Sequence, residues 1–389
     1  MSLGLFENRA KVNCFDGLII QIEPTYLCRL KCVMCAHTYR QEVHGKIEPF
    51  MDFDLFVKII NQIVHFCKKY NVFVDTLQLF WYGEPFLHPK IVKLIEFAVC
   101  YNSKHRVFDK IRIDTEFSAA TKPQIEHIFK ICHYWNDQSL YFTFSLDALT
   151  PKTYNKIRRG GDFKRVMSNI HYLIRLKDKY MFASPIFNLQ FIIHPLNYHE
   201  TNDFIAYWKD ILHSRRFHYP SDSISIKKLN TLKQDLTADE LKARETHEST
   251  LRQLKFKPFS AEFGRLEIEG WDELFHHRVS LATERRPPCA SLWKQPSFAS
   301  NGDLTFCCKD EQLEFKLGNI KIQTLEEMWL GEYINKIRMQ QLLGDFSWPT
   351  ICSNCSNHPG LNITKDEIDN YIKRFEHSKI PLMGNRCKE

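Results

Sequence analysis

Alternation of two periodicities is the feature that most constrains this chain. Short apolar runs are expected to form strands at 17–23 (GLIIQIE), 75–83 (DTLQLFWYG), 109–115 (DKIRIDT), 140–147 (LYFTFSLD), 187–194 (FNLQFIIH) and 223–229 (SISIKKL). Between them, helices are expected at 51–70, 88–101, 122–132, 163–176 and around 203–212. In the first helix Phe56, Ile59, Ile60, Ile63 and Cys67 share one face, which makes Cys67 a core residue. Strands alternating with helices imply a parallel sheet with crossover helices. Six such units fit a partial, TIM-like (β/α)6 barrel of the α/β class. In such folds chemistry gathers at the C-terminal ends of the strands, so the residues that follow each strand matter most.

The alternation stops near residue 230. Residues 1–230 are therefore read as the catalytic core and 231–288 as a bridge. The bridge contains a polar, charged helix at 233–258 and a mixed stretch ending in Arg-Arg-Pro-Pro. From Cys289 to the C-terminus at 389 the texture changes to short strands, an Asn301-Gly302-Asp303 turn and a helix over 325–343, which reads as a small α+β domain. No internal repeat or low-complexity tract is present.

Composition narrows the class. Apolar residues make up 44% of 389, ample for a core, yet no apolar run reaches the ~20 residues of a membrane span. The N-terminus lacks a signal-peptide pattern, so the chain is expected to be soluble and cytoplasmic, with no membrane partner. The net charge of +7 is dispersed, without the basic, aromatic-interleaved stripe of a nucleic-acid binder. Thirteen cysteines in a long chain of this kind favour metal ligation over disulfides.

Three of those cysteines follow the first strand in PTYLCRLKCVMCAH, with Cys28, Cys32 and Cys35 in C-x3-C-x2-C spacing. Chance gives this spacing about once in seventy chains of such cysteine content. Thiolates are soft ligands suited to iron–sulfur clusters. Three of them hold three corners of a cubane and leave the fourth iron open. The alternative is a structural zinc site completed by His37.

This loop, at the end of the first strand of a βα repeat, resembles that of the radical S-adenosylmethionine (SAM) superfamily, and the resemblance extends over most of the chain. It implies a [4Fe–4S] cluster on Cys28, Cys32 and Cys35, with SAM chelating the open iron. It also implies an electron donor such as a flavodoxin or ferredoxin. After the second strand, Tyr82-Gly83-Glu84-Pro85 resembles the family's Gly-Gly-Glu-Pro, with Tyr82 replacing the first glycine. By this match Gly83 lets the backbone approach SAM and Glu84 accepts from its amino group. After the fourth strand, SLDALTPKTYNKIRRGGDF resembles a Ser-φ-Asp run followed by Tyr-x-x-x-Arg. Ser145 would then meet the ribose or carboxylate of SAM and Arg158 the carboxylate. Two further departures are Met34, where an aromatic residue is common, and Thr115-Glu116-Phe117, where Thr-Asn-Gly is common.

The C-terminal cysteines resemble the SPASM/twitch extension of that family. Cys289, then Gly302 with Cys307, then Cys352 and Cys355 match its pattern, and four thiolates would close the shell of one auxiliary [4Fe–4S] cluster. Cys308 competes with Cys307, but neighbours on a strand point to opposite faces. A four-cysteine zinc ribbon would want two close CxxC pairs, and only one exists.

The expected activity is reductive cleavage of SAM to a 5′-deoxyadenosyl radical, followed by oxidation or rearrangement of a small molecule such as a sugar or cyclitol. The shortness of the segment before the first strand disfavours the rival, a peptide or protein maturase. A non-catalytic zinc-binding module is the reading from another class. His194, at the end of the fifth strand, is the candidate general base by topology, with Asp272 and His277 in the bridge as weaker ones.

Overall fold

The computed structural model describes residues 17–39, 48–70, 72–215, 222–228, 265–268, 286, 288–353 and 355. The expected helix at 233–258, Asp272, His277 and the segment after residue 355 lie outside the described residues.

All six expected strands form, in chain order β1 (Leu18–Ile22), β3 (Val74–Gln78), β4 (Phe108–Thr115), β5 (Leu140–Ser145), β7 (Ile186–Ile193) and β8 (Ser223–Lys228). Two short strands, β2 (Lys31–Cys32) and β6 (Arg158–Arg159), form a separate antiparallel pair. Four more join the main sheet: β9 (Arg265–Ile268), β10 (Ser297–Phe298), β11 (Asp303–Thr305) and β12 (Lys316–Asn319). The sheet order is β12-β11-β10-β1-β3-β4-β5-β7-β8-β9. From β10 to β9 every pairing is parallel, while β11 is antiparallel to its two neighbours, β10 and β12. It therefore runs on past the expected six strands in both directions, with β9 drawn from the segment read as a bridge.

The crossover helices are α1 (Phe53–Tyr70), α2 (Ile91–His105), α3 (Lys122–Trp135), α5 (Phe163–Tyr180) and α6 (Thr201–His213); a short α4 (Pro151–Ile157) precedes α5. Their apolar faces pack on the sheet. In α1, Phe56, Ile59, Ile60 and Ile63 are fully buried and Cys67 nearly so. Truncating Ile60 to Ala would cost ~2–5 kcal/mol through lost burial and the cavity left behind. Local signals fix the helix ends. Thr121 and Gln124 form a capping box at the start of α3, and Asn136, at φ 47°, ends it in the left-handed conformation.

The last helical stretch departs from expectation. Instead of one helix over 325–343 there are two, Leu325–Trp329 and Glu332–Leu342. Gly331 lies between them with extended backbone (ψ 166°), and a Cβ there would stand 2.6 Å from the Glu327 carbonyl oxygen. The periodicity continues across the break, which is why the sequence reads as one helix.

Candidate functional site

The loop after β1 is built to present thiols. Thr25 pairs with Phe50, and its hydroxyl donates to the Pro49 carbonyl (2.6 Å) and accepts from the Leu27 N–H (3.1 Å). Further along, β2 pairs with β6, placing Cys32 opposite Arg158. The Cys35 N–H turns back to the Cys32 carbonyl (3.2 Å). Cys28, Cys32 and Cys35 come together by this path. Burial pushes each of the three thiols up. The other two thiols push Cys28 further, and Cys35 does the same to Cys32. The Arg158 guanidinium acts the other way on Cys32 and Cys35. Buried thiols that repel one another as thiolates need an added cation to ionise, and the irons of a cluster supply it. The donor set thus fits a cluster. Among the described residues no group of three or more His, Cys, Asp or Glu side chains is arranged to hold a metal ion. His37 is buried beside them, its Nε2 donating to the Tyr26 carbonyl (2.8 Å).

The loop after β3 lies against this one. The Glu84 N–H donates to the Leu27 carbonyl (2.8 Å), and the Tyr82 N–H to Glu23 Oε1 (3.3 Å). Gly83 is obligatory here, because a Cβ would fall 2.0 Å from the Thr25 carbonyl oxygen. The Glu84 carboxyl is buried and accepts three bonds: from the Thr115 hydroxyl (2.5 Å) and the Phe86 N–H (3.1 Å) on Oε1, and from the Glu116 N–H (2.9 Å) on Oε2. Burial, reinforced by the Glu116 carboxylate, pushes Glu84 up to about 8 against these donors. Thr115-Glu116-Phe117, which departs from the resembled motif, is thus part of the site. Phe117 takes φ 66°, a conformation glycine adopts without strain, and is held there by packing on Phe86, Phe142 and Phe144.

Ser145 ends β5, half-buried. Two residues on, Asp147 is fully buried at φ 55°. Its carboxylate accepts from the Ile192 N–H (2.7 Å) and pairs with the Arg158 guanidinium. Arg158 in turn points Nη1 at Cys32 Sγ (3.8 Å). His194 lies just past β7, as expected, and its Nδ1 accepts from the Leu196 N–H (3.1 Å), leaving the ring proton on Nε2.

The C-terminal cysteines form a second group. Burial raises the thiols of Cys289, Cys307, Cys308 and Cys352, and the charges of neighbouring cysteines, Cys355 among them, raise them further. Gly302, at φ 90°, turns the β10–β11 hairpin that leads to Cys307. Asp310 ties the loop after it, accepting from the Thr305 hydroxyl (2.8 Å) and from the N–H groups of Glu314 (2.9 Å) and Phe315 (3.1 Å). Cys355 lines a cavity of about 350 Å³ beside Asp310, Glu311 and Ile351.

The loop after β3 links the segments that carry the two thiol groups. The Trp81 indole N–H and the Tyr82 hydroxyl both donate to the Cys308 carbonyl (2.9 and 3.0 Å). Tyr82 also reaches Glu311 Oε2 (3.3 Å). Glu311 bears electrostatically on Cys35, and burial raises its carboxyl. Trp81, Glu311 and Asp310 were not legible as site residues, because nothing local marks a contact made across the chain.

An α/β protein with thiols on the loop after its first parallel strand, and a second thiol group beside that loop's neighbour, is a cluster-binding protein by fold and donor chemistry. The chain belongs to the radical SAM superfamily: residues 22–205 match the Radical SAM superfamily model, and residues 289–356 match SPASM, an iron–sulfur cluster-binding domain. It accordingly uses a [4Fe–4S] cluster and SAM, together with auxiliary iron–sulfur chemistry in the SPASM segment. Among solved structures, Streptococcus suis SuiB bound to S-adenosylmethionine is similar at TM-score 0.54 and 17% identity, over 87% of this chain and 69% of that one. SuiB bound to the precursor peptide SuiA gives 0.56 and 16%, over 85% and 69%. anSMEcpe with AdoMet and the Cp18Cys peptide gives 0.54 and 16%, over 93% and 96%. No curated protein matches the sequence. No helix among the described residues is long and apolar enough to cross a membrane.

Proposed function

We propose that this enzyme cleaves SAM reductively at a cluster held by Cys28, Cys32 and Cys35 and oxidises its substrate with one auxiliary cluster held by Cys289, Cys307, Cys352 and Cys355. The observation that carries this is the shared loop: Trp81 and Tyr82, beside Gly83 and Glu84, hold the backbone of Cys308. A loop that bonds to both thiol-bearing segments suits a reaction that generates a radical beside one and disposes of an electron near the other.

Cys28, Cys32 and Cys35 would hold the cluster, which would supply the electron for reductive cleavage of SAM and so for removal of a hydrogen atom from substrate. The first electron would come from a flavodoxin or ferredoxin. Around that chemistry the chain's own residues bind and orient. Gly83 lets the backbone close on the SAM position, Glu84 accepts from the amino end, and Ser145 meets the ribose or carboxylate. Two groups are candidates for the substrate proton. His194 has Nδ1 engaged by Leu196, so it presents a donor. Glu311, half-buried between the thiol groups, is the acceptor this geometry favours.

A peptide or protein side chain is the better-supported substrate class. anSMEcpe, which this chain matches over nearly the whole of both lengths, is solved with a peptide, so this fold at this extent accommodates one. A sugar or cyclitol is the second reading.

The test is anaerobic reaction with SAM, dithionite and deuterated candidates, reading deuterium in 5′-deoxyadenosine. Transfer from a peptide supports the first reading, and transfer only from polyols hands the case to the second. About eight iron and eight sulfide per chain are expected; stoichiometric zinc without iron would sink both.

A further inference from the structure

Arg158 is placed by strand pairing, since β2–β6 sets it across from Cys32. Its guanidinium is divided between two partners. Nη2 donates to Asp147, and Nη1 points at Cys32 Sγ (3.8 Å). The side chain is 11% exposed, and its Nε is buried with no hydrogen-bond partner among the described residues. Asp147 is held at both its side chain and its backbone. Its carboxylate is fixed by the Ile192 N–H (2.7 Å) and its carbonyl by the Asn197 side chain (2.8 Å). The family resemblance sends Arg158 to the SAM carboxylate, whereas here the fork is already committed to a buried carboxylate and a cysteine sulfur.

We infer that Arg158 sets the reduction potential of the cluster on Cys28, Cys32 and Cys35 by donating to the Cys32 thiolate. The inference rests on the ligand assignment proposed above. Its physics is general. An added electron increases the negative charge on a cluster and its sulfurs, and a positive donor at one sulfur stabilises that reduced state more than the oxidised one. Burial strengthens the effect because little water screens it. Asp147 orients the guanidinium and offsets part of its charge, so the N–H···S contact is the part of Arg158 that Cys32 feels most directly. Arg158 is therefore a tuning residue, acting on the cluster through its ligand.

The test is a redox titration of the cluster-loaded enzyme without SAM, followed by electron paramagnetic resonance. The relevant signal is the one lost when Cys28, Cys32 and Cys35 are all changed to Ala. In Arg158→Gln the reduced-to-oxidised ratio at a fixed applied potential should fall about tenfold, equivalent to about 59 mV for one electron. Arg158→Lys guards against misfolding. A single ammonium keeps Asp147 paired but does not reach both partners, so the ratio should fall here too, about threefold. An unchanged potential in both variants overturns the inference, whatever happens to the KM for SAM. If the triple cysteine change removes no signal, the ligand assignment is overturned instead.

Discussion

The Tyr82 hydroxyl donates to the Cys308 carbonyl at 3.0 Å, tying the loop after β3 to the loop that carries Cys307 and Cys308. Trp81 donates to the same oxygen, and the two rings stack at 5.4 Å between centroids. A carbonyl has two lone pairs, so both bonds form together. Removing one donor leaves the oxygen satisfied, and removing both leaves a partly buried acceptor bare. Tyr82→Phe and Trp81→Phe should each cost about 1 kcal/mol, and the double variant should exceed their sum by about another. Urea unfolding of anaerobically purified protein measures the cycle, and strict additivity would show that the oxygen is not shared.

Gly83 makes a sharper prediction, because its neighbours are backbone. A Cβ 2.0 Å from the Thr25 oxygen and 2.8 Å from the Tyr26 carbonyl carbon has no flexible side chain to displace. Gly83→Ala must push the cysteine loop and the Glu84 loop apart. Displacement on the order of 1 Å at a reacting centre costs about a hundredfold in rate. The rate of 5′-deoxyadenosine formation should fall by that order, and a near-normal rate would show that the two loops are not held in contact during turnover.

How far the sequence reveals this molecule depends on the range of each signal. The six βα strands are legible because alternation of period 2 and period 3.6 is a local property, and the helix faces follow from it. β9 is not, since Arg265–Ile268 sits in a mixed stretch with no pattern of its own and becomes a strand by pairing with β8. The thiol loop is visible through its spacing. The Asp147–Arg158 pair is only half visible: both residues fall in a recognisable motif, yet their pairing depends on the turn after β5 and on the β2–β6 pair. Trp81 and Glu311 carry no local mark at all. Tyr82 does, as a departure from glycine, and its contact with Cys308 accounts for the departure.

Glu84 gives a pH dependence whose sign follows from burial. Its carboxyl titrates at about 8 in the folded chain, against about 4.3 when unfolded. The folded state therefore binds the proton more tightly. This group favours folding at low pH, and its contribution declines as pH rises from about 4.3 to 8 and then levels. Glu84→Gln, a neutral isostere, should lack that decline. Comparing urea midpoints at pH 5 and pH 8 checks this, and equal slopes for the two proteins would mean that Glu84 is already ionised at pH 5.

The competition between Cys307 and Cys308 yields the last prediction. Cys289 raises both thiols, Cys352 also raises that of Cys307 and Cys355 also that of Cys308, so proximity does not choose between them. Their surroundings do. Cys307 Sγ accepts from the Lys309 N–H (3.4 Å), the kind of bond that a cluster thiolate receives. Cys308 is held instead through its carbonyl, by Trp81 and Tyr82, in a turn beyond the end of β11 rather than on the strand that the sequence suggested. Cys307→Ser should therefore lose about four iron and four sulfide per chain while SAM cleavage at the first cluster persists. Cys308→Ser should keep its full metal content, because its structural role is carried by a backbone oxygen that serine retains. Iron and sulfide analysis of the two variants decides the ligand, and the reverse pattern would move it to Cys308.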